Sequence, residues 1–208
     1  MLPLARSPLV ALDKVPAGAD AVSGVAPAGT LSSATSGLRA SGSFGGFGYA
    51  LEHARQRDIA GNPWSLDGRY DLVELAYAWE PLQLKLGYEV MGGADGAGNR
   101  AFQTPLATKH LFQGWADQFL VTPANGVEDR YLGVVAPLAG GTIQAWYHDF
   151  SAERGGGDHG RELDLSYARA VPGVKGLTAL LKYARYDADG GSASVDTRKF
   201  WLHLQYAY

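Results

Sequence analysis

The feature that most constrains this chain is a period of two in its side chains, clearest in the segment Lys199–Tyr208. Successive side chains of a strand point to opposite faces. Phe200, Leu202, Leu204, Tyr206 and Tyr208 therefore share one face, and Lys199, Trp201, His203, Gln205 and Ala207 share the other. The first face is wholly apolar or aromatic and the second mostly polar. A half-buried strand of a soluble sandwich gives the same alternation, so the deciding question is whether it repeats.

It repeats along most of the chain. Phe47, Tyr49, Leu51 and His53 alternate with Gly48, Ala50 and Glu52. Val73, Leu75, Tyr77 and Trp79 alternate with Glu74, Ala76 and Ala78, and Leu82, Leu84, Leu86, Tyr88 and Val90 with Gln83, Lys85, Gly87 and Glu89. This last run lacks the i, i+3, i+4 spacing of an amphipathic helix. A long insert covers 92–129, and Arg130–Leu138 follows as a strand whose facing the pattern leaves open. Ile143, Ala145 and Tyr147 then oppose Gln144, Trp146 and His148; Leu163, Leu165 and Tyr167 oppose Glu162, Asp164 and Ser166; Leu177, Ala179, Leu181 and Tyr183 oppose Thr178, Leu180 and Lys182. Turn signals at Gly61-Asn62-Pro63, Glu80-Pro81, Ala139-Gly140-Gly141 and Val171-Pro172-Gly173 separate the runs. The expectation is about eight strands with no intervening helix.

Composition narrows what such strands can build. Of the 208 residues, 19% are charged and 46% hydrophobic, a low charge content for a soluble domain. The net charge of -3 gives no electrostatic case for nucleic acid. The absence of cysteine excludes disulfides, thiolate metal sites and a cysteine nucleophile. No apolar run is long enough for a transmembrane helix. A soluble β protein or a transmembrane β-barrel remains.

Residues 1–43 do not join the pattern. The apolar run Leu9–Leu12 ends at Asp13 and is too short for the core of a signal peptide. Residues 14–43 are rich in Ala, Gly, Ser and Pro, and the whole of 1–43 reads as a poorly ordered leader or a non-native N-terminus, so that the chain is either cytosolic or lacks its true beginning. The barrel segment is expected over 44–208.

Loop lengths favour the membrane. Short connections fall near Glu80, Gly140 and Gly173, and long ones near Gly61, across 92–129, at 152–161 and at 187–196, alternating along the chain. Transmembrane barrels have short periplasmic turns, long outer loops and an aromatic girdle at each interface. Tyr77, Trp79, Tyr167, Tyr206 and Tyr208 would form the inner girdle, and Tyr88, Tyr147, Tyr183 and Phe200 the outer one. The expected fold is all-β, an antiparallel up-and-down transmembrane barrel.

The insert carries a resemblance. Phe102-Gln103-Thr104-Pro105, Thr108 with His110, Gly114-Trp115-Ala116-Asp117, Thr122-Pro123 and Gly126 with Asp129 resemble a segment of the alginate-export family of bacterial outer-membrane porins. With the strands that follow, the likeness covers roughly 44–208. It implies an outer-membrane barrel of a Gram-negative bacterium that lets anionic or sugar-like solutes pass without acting as an enzyme or holding a cofactor. Members of the family are longer, begin with a signal peptide and form wider barrels, so the chain resembles the C-terminal half of such a porin. About eight strands enclose room for side chains only, whereas aqueous channels need about sixteen. The terminal aromatic resembles the signal by which the barrel-assembly machinery recognises its clients, which implies that machinery and outer-membrane lipid as partners.

The candidate lumen residues are Glu74, Lys85, Glu89, Arg130, Glu162, Asp164, Lys182, Lys199 and His203. Lys85, Lys182, Lys199 and Arg130 would offer an anion a basic path in a wide barrel, and would pair with the carboxylates in a narrow one. His110, Trp115 and Asp117 are the candidate constriction of the insert. Other readings stay open. His110 with Asp117 suggests acid–base chemistry, although no serine partner sits at a recognised spacing. Trp115 either stacks on sugar rings or anchors the insert to the wall. Asp187, Asp189 and Asp196 read as a solvated acidic loop or as calcium ligands. Gly155–Gly157 is not a phosphate cradle, since no helix follows it. A soluble or periplasmic β-barrel that binds a small ligand is the alternative to the porin.

Overall fold

The computed structural model of the chain describes residues 4–6, 10–11, 32–94, 99–104, 113–189 and 194–208. Nine long strands follow one another: β1 (Ser33–Phe44), β2 (Phe47–Asp58), β3 (Ser65–Trp79), β4 (Leu82–Met91), β5 (Val127–Leu138), β6 (Gly141–Ser151), β7 (Asp158–Ala170), β8 (Leu177–Ala188) and β9 (Thr197–Tyr206). Each pairs antiparallel with the next, in a single up-and-down sheet. There are no helices among the described residues. The strand β1 corrects the expectation of a leader through residue 43. Beyond it, Leu4–Arg6 and Val10–Ala11 pair with the other edge of β1. β9 pairs only with β8 among the described residues, so the sheet is open there. It fits a β-barrel fold whose seam is not closed by these strands.

Turn chemistry sets the register at one end. Gly45-Gly46 and Ala139-Gly140 are two-residue turns with positive φ at both positions, the geometry that matches the twist of the flanking strands. Glu80-Pro81 joins β3 to β4, and residues 171–176 join β7 to β8. The other end carries 59–64, 92–126, 152–157 and 189–196. The longest connections thus share one end.

The register divides every strand into two faces. Outward on β3 are Val73, Leu75, Tyr77 and Trp79; on β9 they are Phe200, Leu202, Leu204 and Tyr206. These side chains are exposed, Trp79 at 64% and Leu204 at 63%. Together with Leu51, Leu86, Leu132, Leu163 and Leu181 they make an exposed apolar band. Toward the long loops the band gives way to outward charges, including the pairs His53–Asp71 (2.6 Å), Arg130–Glu128 (2.8 Å), Arg161–Asp149 (3.1 Å) and Arg185–Asp187 (3.0 Å). Toward the short turns it ends in Phe44, Phe47, Tyr77, Trp79 and Tyr206, with Phe47 and Tyr77 in ring contact at 4.5 Å.

The inner face is polar at mid-strand, and the insert folds onto it. Phe119 packs among Val127, Phe150, Ala184 and Tyr186, and Phe102 among Ala54, Tyr70, Leu72 and Met91. Both clusters lie on the inner face toward the long loops. Among the described residues, these two clusters are where apolar side chains pack into an interior beneath the insert. Arg39 on β1 and Lys182 on β8 line one cavity, which shows how far the sheet curls.

Candidate functional site

The insert re-enters the described structure at Gln113, whose tip is a tight bend. Gln113, Gly114 and Asp117 all have positive φ (53°, 75° and 59°). The bend turns two successive amide groups toward the wall, a concavity suited to an anion. Glu162 of β7 fills it: its Oε1 accepts from Trp115 N (2.5 Å) and Ala116 N (2.6 Å). Asp164 Oδ2 accepts from Trp115 N at 3.1 Å. A Cβ at Gly114 would stand 2.5 Å from the Glu162 carboxyl carbon, so this approach requires glycine. Three further bonds fix the tip: Gln113 Nε2 donates to Glu89 (2.7 Å), Lys199 Nζ to Asp117 (2.8 Å), and Gln118 Nε2 to Thr197 (3.0 Å). The tip is thus tied to β4, β7 and β9 at once.

On the short-turn side of the tip lies a cavity of about 670 Å³. Its wall includes Glu74, Lys85, Glu89, Tyr131, Trp146, His148 and Lys182, and its roof is Gln113–Trp115. Two aromatic rings lie flat against this wall because glycine faces them across the register. Gly87 pairs with Tyr131 and Gly133 with Trp146; a Cβ would stand 1.9 Å and 2.3 Å from the respective rings. Ring faces, rather than edges, thus border the space.

Most charges on this face have partners within it. Lys85 holds Glu74 (3.1 Å), which also accepts from Tyr131 OH (2.8 Å). Arg39 holds Glu52 (2.5 Å), and His148 Nδ1 meets both oxygens of Asp129 (3.0 and 2.9 Å). Lys182 Nζ sits 3.9 Å from the Trp115 ring and 5.2 Å from that of Trp201, a cation held between two aromatic faces. Glu89 differs. Its two donors among the described residues, Tyr70 OH (2.6 Å) and Gln113 Nε2 (2.7 Å), are both neutral. At mid-strand the face carries Glu52, Glu74, Glu89, Asp129, Glu162 and Asp164 against Arg39, Lys85, Lys182 and Lys199, an excess of carboxylates.

The register settles the expected residues one by one. Glu74, Lys85, Glu89, Glu162, Asp164, Lys182, Lys199 and His203 all lie on the inner face. His203 sits toward the short-turn end of the edge strand and does not line the cavity, although its register partner Leu180 does. Arg130 is a correction: it points outward, beside Tyr88 (5.8 Å) and bonded to Glu128. Its strand alternates in the opposite sense because the inward positions are Asp129 and Tyr131. Trp115 and Asp117 are at the tip. His110 lies outside the described residues, so the His110–Asp117 pairing does too. In the last loop, Asp196 accepts from Ala188 N and Asp187 from Arg185. Among the described residues no three acidic or histidine side chains converge as a metal site would require.

Reading the residues in order missed Arg39, Gln113, Tyr131 and the Asp129–His148 pair. Glycine opposite an aromatic across two strands was the available signal for Tyr131 and Trp146. No family model matches the sequence and no curated protein matches it significantly, so the resemblance to the alginate-export porins stands on the residues of the insert alone.

Proposed function

We propose that the chain is a porin-type transmembrane barrel of a Gram-negative outer membrane, non-enzymatic, with an inward-folded insert that narrows a passage for sugar-sized solutes. The observation that carries this reading is the outer face. Its apolar band is bounded by charges on the long-loop side and aromatics on the short-turn side, while the polar side chains turn inward. A soluble barrel has the opposite sense, and monomeric soluble proteins rarely expose so large a contiguous apolar surface. Lipid in contact with the band removes it from water, with the aromatic edge at the headgroups. The lysines of the lumen do not favour an anion path, because Lys85 and Lys199 are engaged by carboxylates and Arg130 faces outward.

Refolding from denaturant tests the reading. The chain should regain strand content and protease resistance only with detergent or lipid vesicles present. Folding to a monodisperse species in plain buffer would overturn it and favour the alternative, a soluble or periplasmic barrel whose cavity binds a small ligand.

A further inference from the structure

We propose that the cavity below the insert takes a cationic solute of sugar size, its ammonium group set against the bonded pair of Glu89 and Gln113. This deepens the porin reading by naming the solute class, and it runs against the anions that the family likeness implies. Three observations carry it. Glu89 is 2% exposed and faces Asp129 directly across the β4–β5 register, with His148 already committed to Asp129. Like charges directly opposite are unfavourable, and a buried carboxylate held only by neutral donors is relieved by a proton or by a counter-charge. Independently, Gln113 is 4% exposed and borders the cavity, yet its Oε1 has no hydrogen-bond partner among the described residues. An orphaned carbonyl oxygen beside a carboxylate asks for a donor, and an ammonium supplies three donors with no acceptor. Finally, the flat face of Tyr131 borders the same space, and such faces attract cations; that of Trp146 already has Lys85 Nζ 5.9 Å from its centroid. A cavity of this volume suits a six-carbon solute.

An anion meets the opposite conditions. It would have to displace Glu74 from Lys85 or draw Lys182 out from between Trp115 and Trp201. It would also add charge to a face already rich in carboxylates.

A matched series tests the proposal: glucamine, sorbitol and gluconate, which share a six-carbon polyol frame and differ in charge. Binding is read at neutral pH by calorimetry and by the fluorescence of the cavity tryptophans, with the full chain in detergent. Glucamine should bind at least about tenfold more tightly than gluconate, with sorbitol between them. Glu89→Gln, which keeps a hydrogen-bonding group of the same shape, should bring glucamine to the level of sorbitol. If that variant does not fold, Gln113→Leu should weaken glucamine alone. Gluconate binding as tightly as glucamine, or no saturable binding of glucamine, would overturn the proposal. Refolding without detergent would instead overturn the membrane reading and leave the affinity order standing.

Discussion

The Glu162 carboxylate accepts the backbone amide of Trp115 at 2.5 Å, so a strand of the wall holds the tip of an insert that precedes it by 47 residues. The same oxygen takes the amide of Ala116, and Glu162 and Ala116 are both buried from water. Removing the acceptor strands the amide of Ala116 and leaves that of Trp115 only its longer bond to Asp164, and a buried orphan costs about 1–3 kcal/mol. Glu162→Ala should therefore lower stability in detergent by that order and speed hydrogen exchange at Trp115 and Ala116. Glu162→Gln keeps a carbonyl acceptor and should do markedly less. In a planar bilayer, Glu162→Ala should also conduct more than the parent chain, because the insert is freed from the wall. Equal exchange rates in the two variants would show that the carboxyl does not hold the tip.

Gly133 is required by the ring of Trp146. A Cβ there would meet the indole at 2.3 Å, and overpacking of this kind costs about 1–3 kcal/mol. Gly133→Ala should be destabilising in the parent chain and nearly neutral in a Trp146→Ala background. A double-mutant cycle measures the difference directly. Additive effects would mean that the indole does not lie where the register puts it.

At the turn between β5 and β6, Ala139 has a φ of 46°. The left-handed region costs an alanine about 1–2 kcal/mol, and glycine adopts it freely. Ala139→Gly should raise the unfolding midpoint, whereas Gly140→Ala, at a φ of 77°, should lower it. Midpoints from denaturant titration in micelles would reveal either sign.

The period of two made eight strands legible, because apolar and polar faces contrast sharply in runs such as Leu82–Met91 and Lys199–Tyr206. β1 escaped notice because the contrast is missing. Its inward positions Gly37, Arg39 and Ser41 and its outward Ala40 and Gly42 are small or polar on both sides, and a strand without contrast reads as linker. β5 has the same weakness: Val127, Asp129 and Tyr131 face in while Glu128, Arg130 and Leu132 face out, so Arg130 could not be placed. The inward course of the insert was not legible for a different reason. Two of its anchors are the backbone amides of Trp115 and Ala116, and any residue type but proline supplies such a donor. Its described aromatics outside the strands, Phe102, Trp115 and Phe119, were the hint of a buried destination.

Within β9, Leu202 and His203 face opposite ways, paired with Leu181 and Leu180 respectively. On a lipid-facing site near the midplane, arginine costs about 2–4 kcal/mol. Leu202→Arg should therefore reduce the folded yield in lipid vesicles far more than His203→Arg. Equal yields would count against the facing of the terminal strand.

The most direct test of the central claim, that the apolar band meets lipid and the polar face does not, is depth-resolved quenching at Leu75 and Glu74. The two are neighbours in the middle of β3 on opposite faces, and the chain has no native cysteine to interfere. A fluorophore on Leu75→Cys in vesicles of bromine-labelled lipid should be strongly quenched, and one on Glu74→Cys should respond instead to a water-soluble quencher or to none. Equal lipid quenching at both positions, or stronger quenching at position 74, would contradict the account.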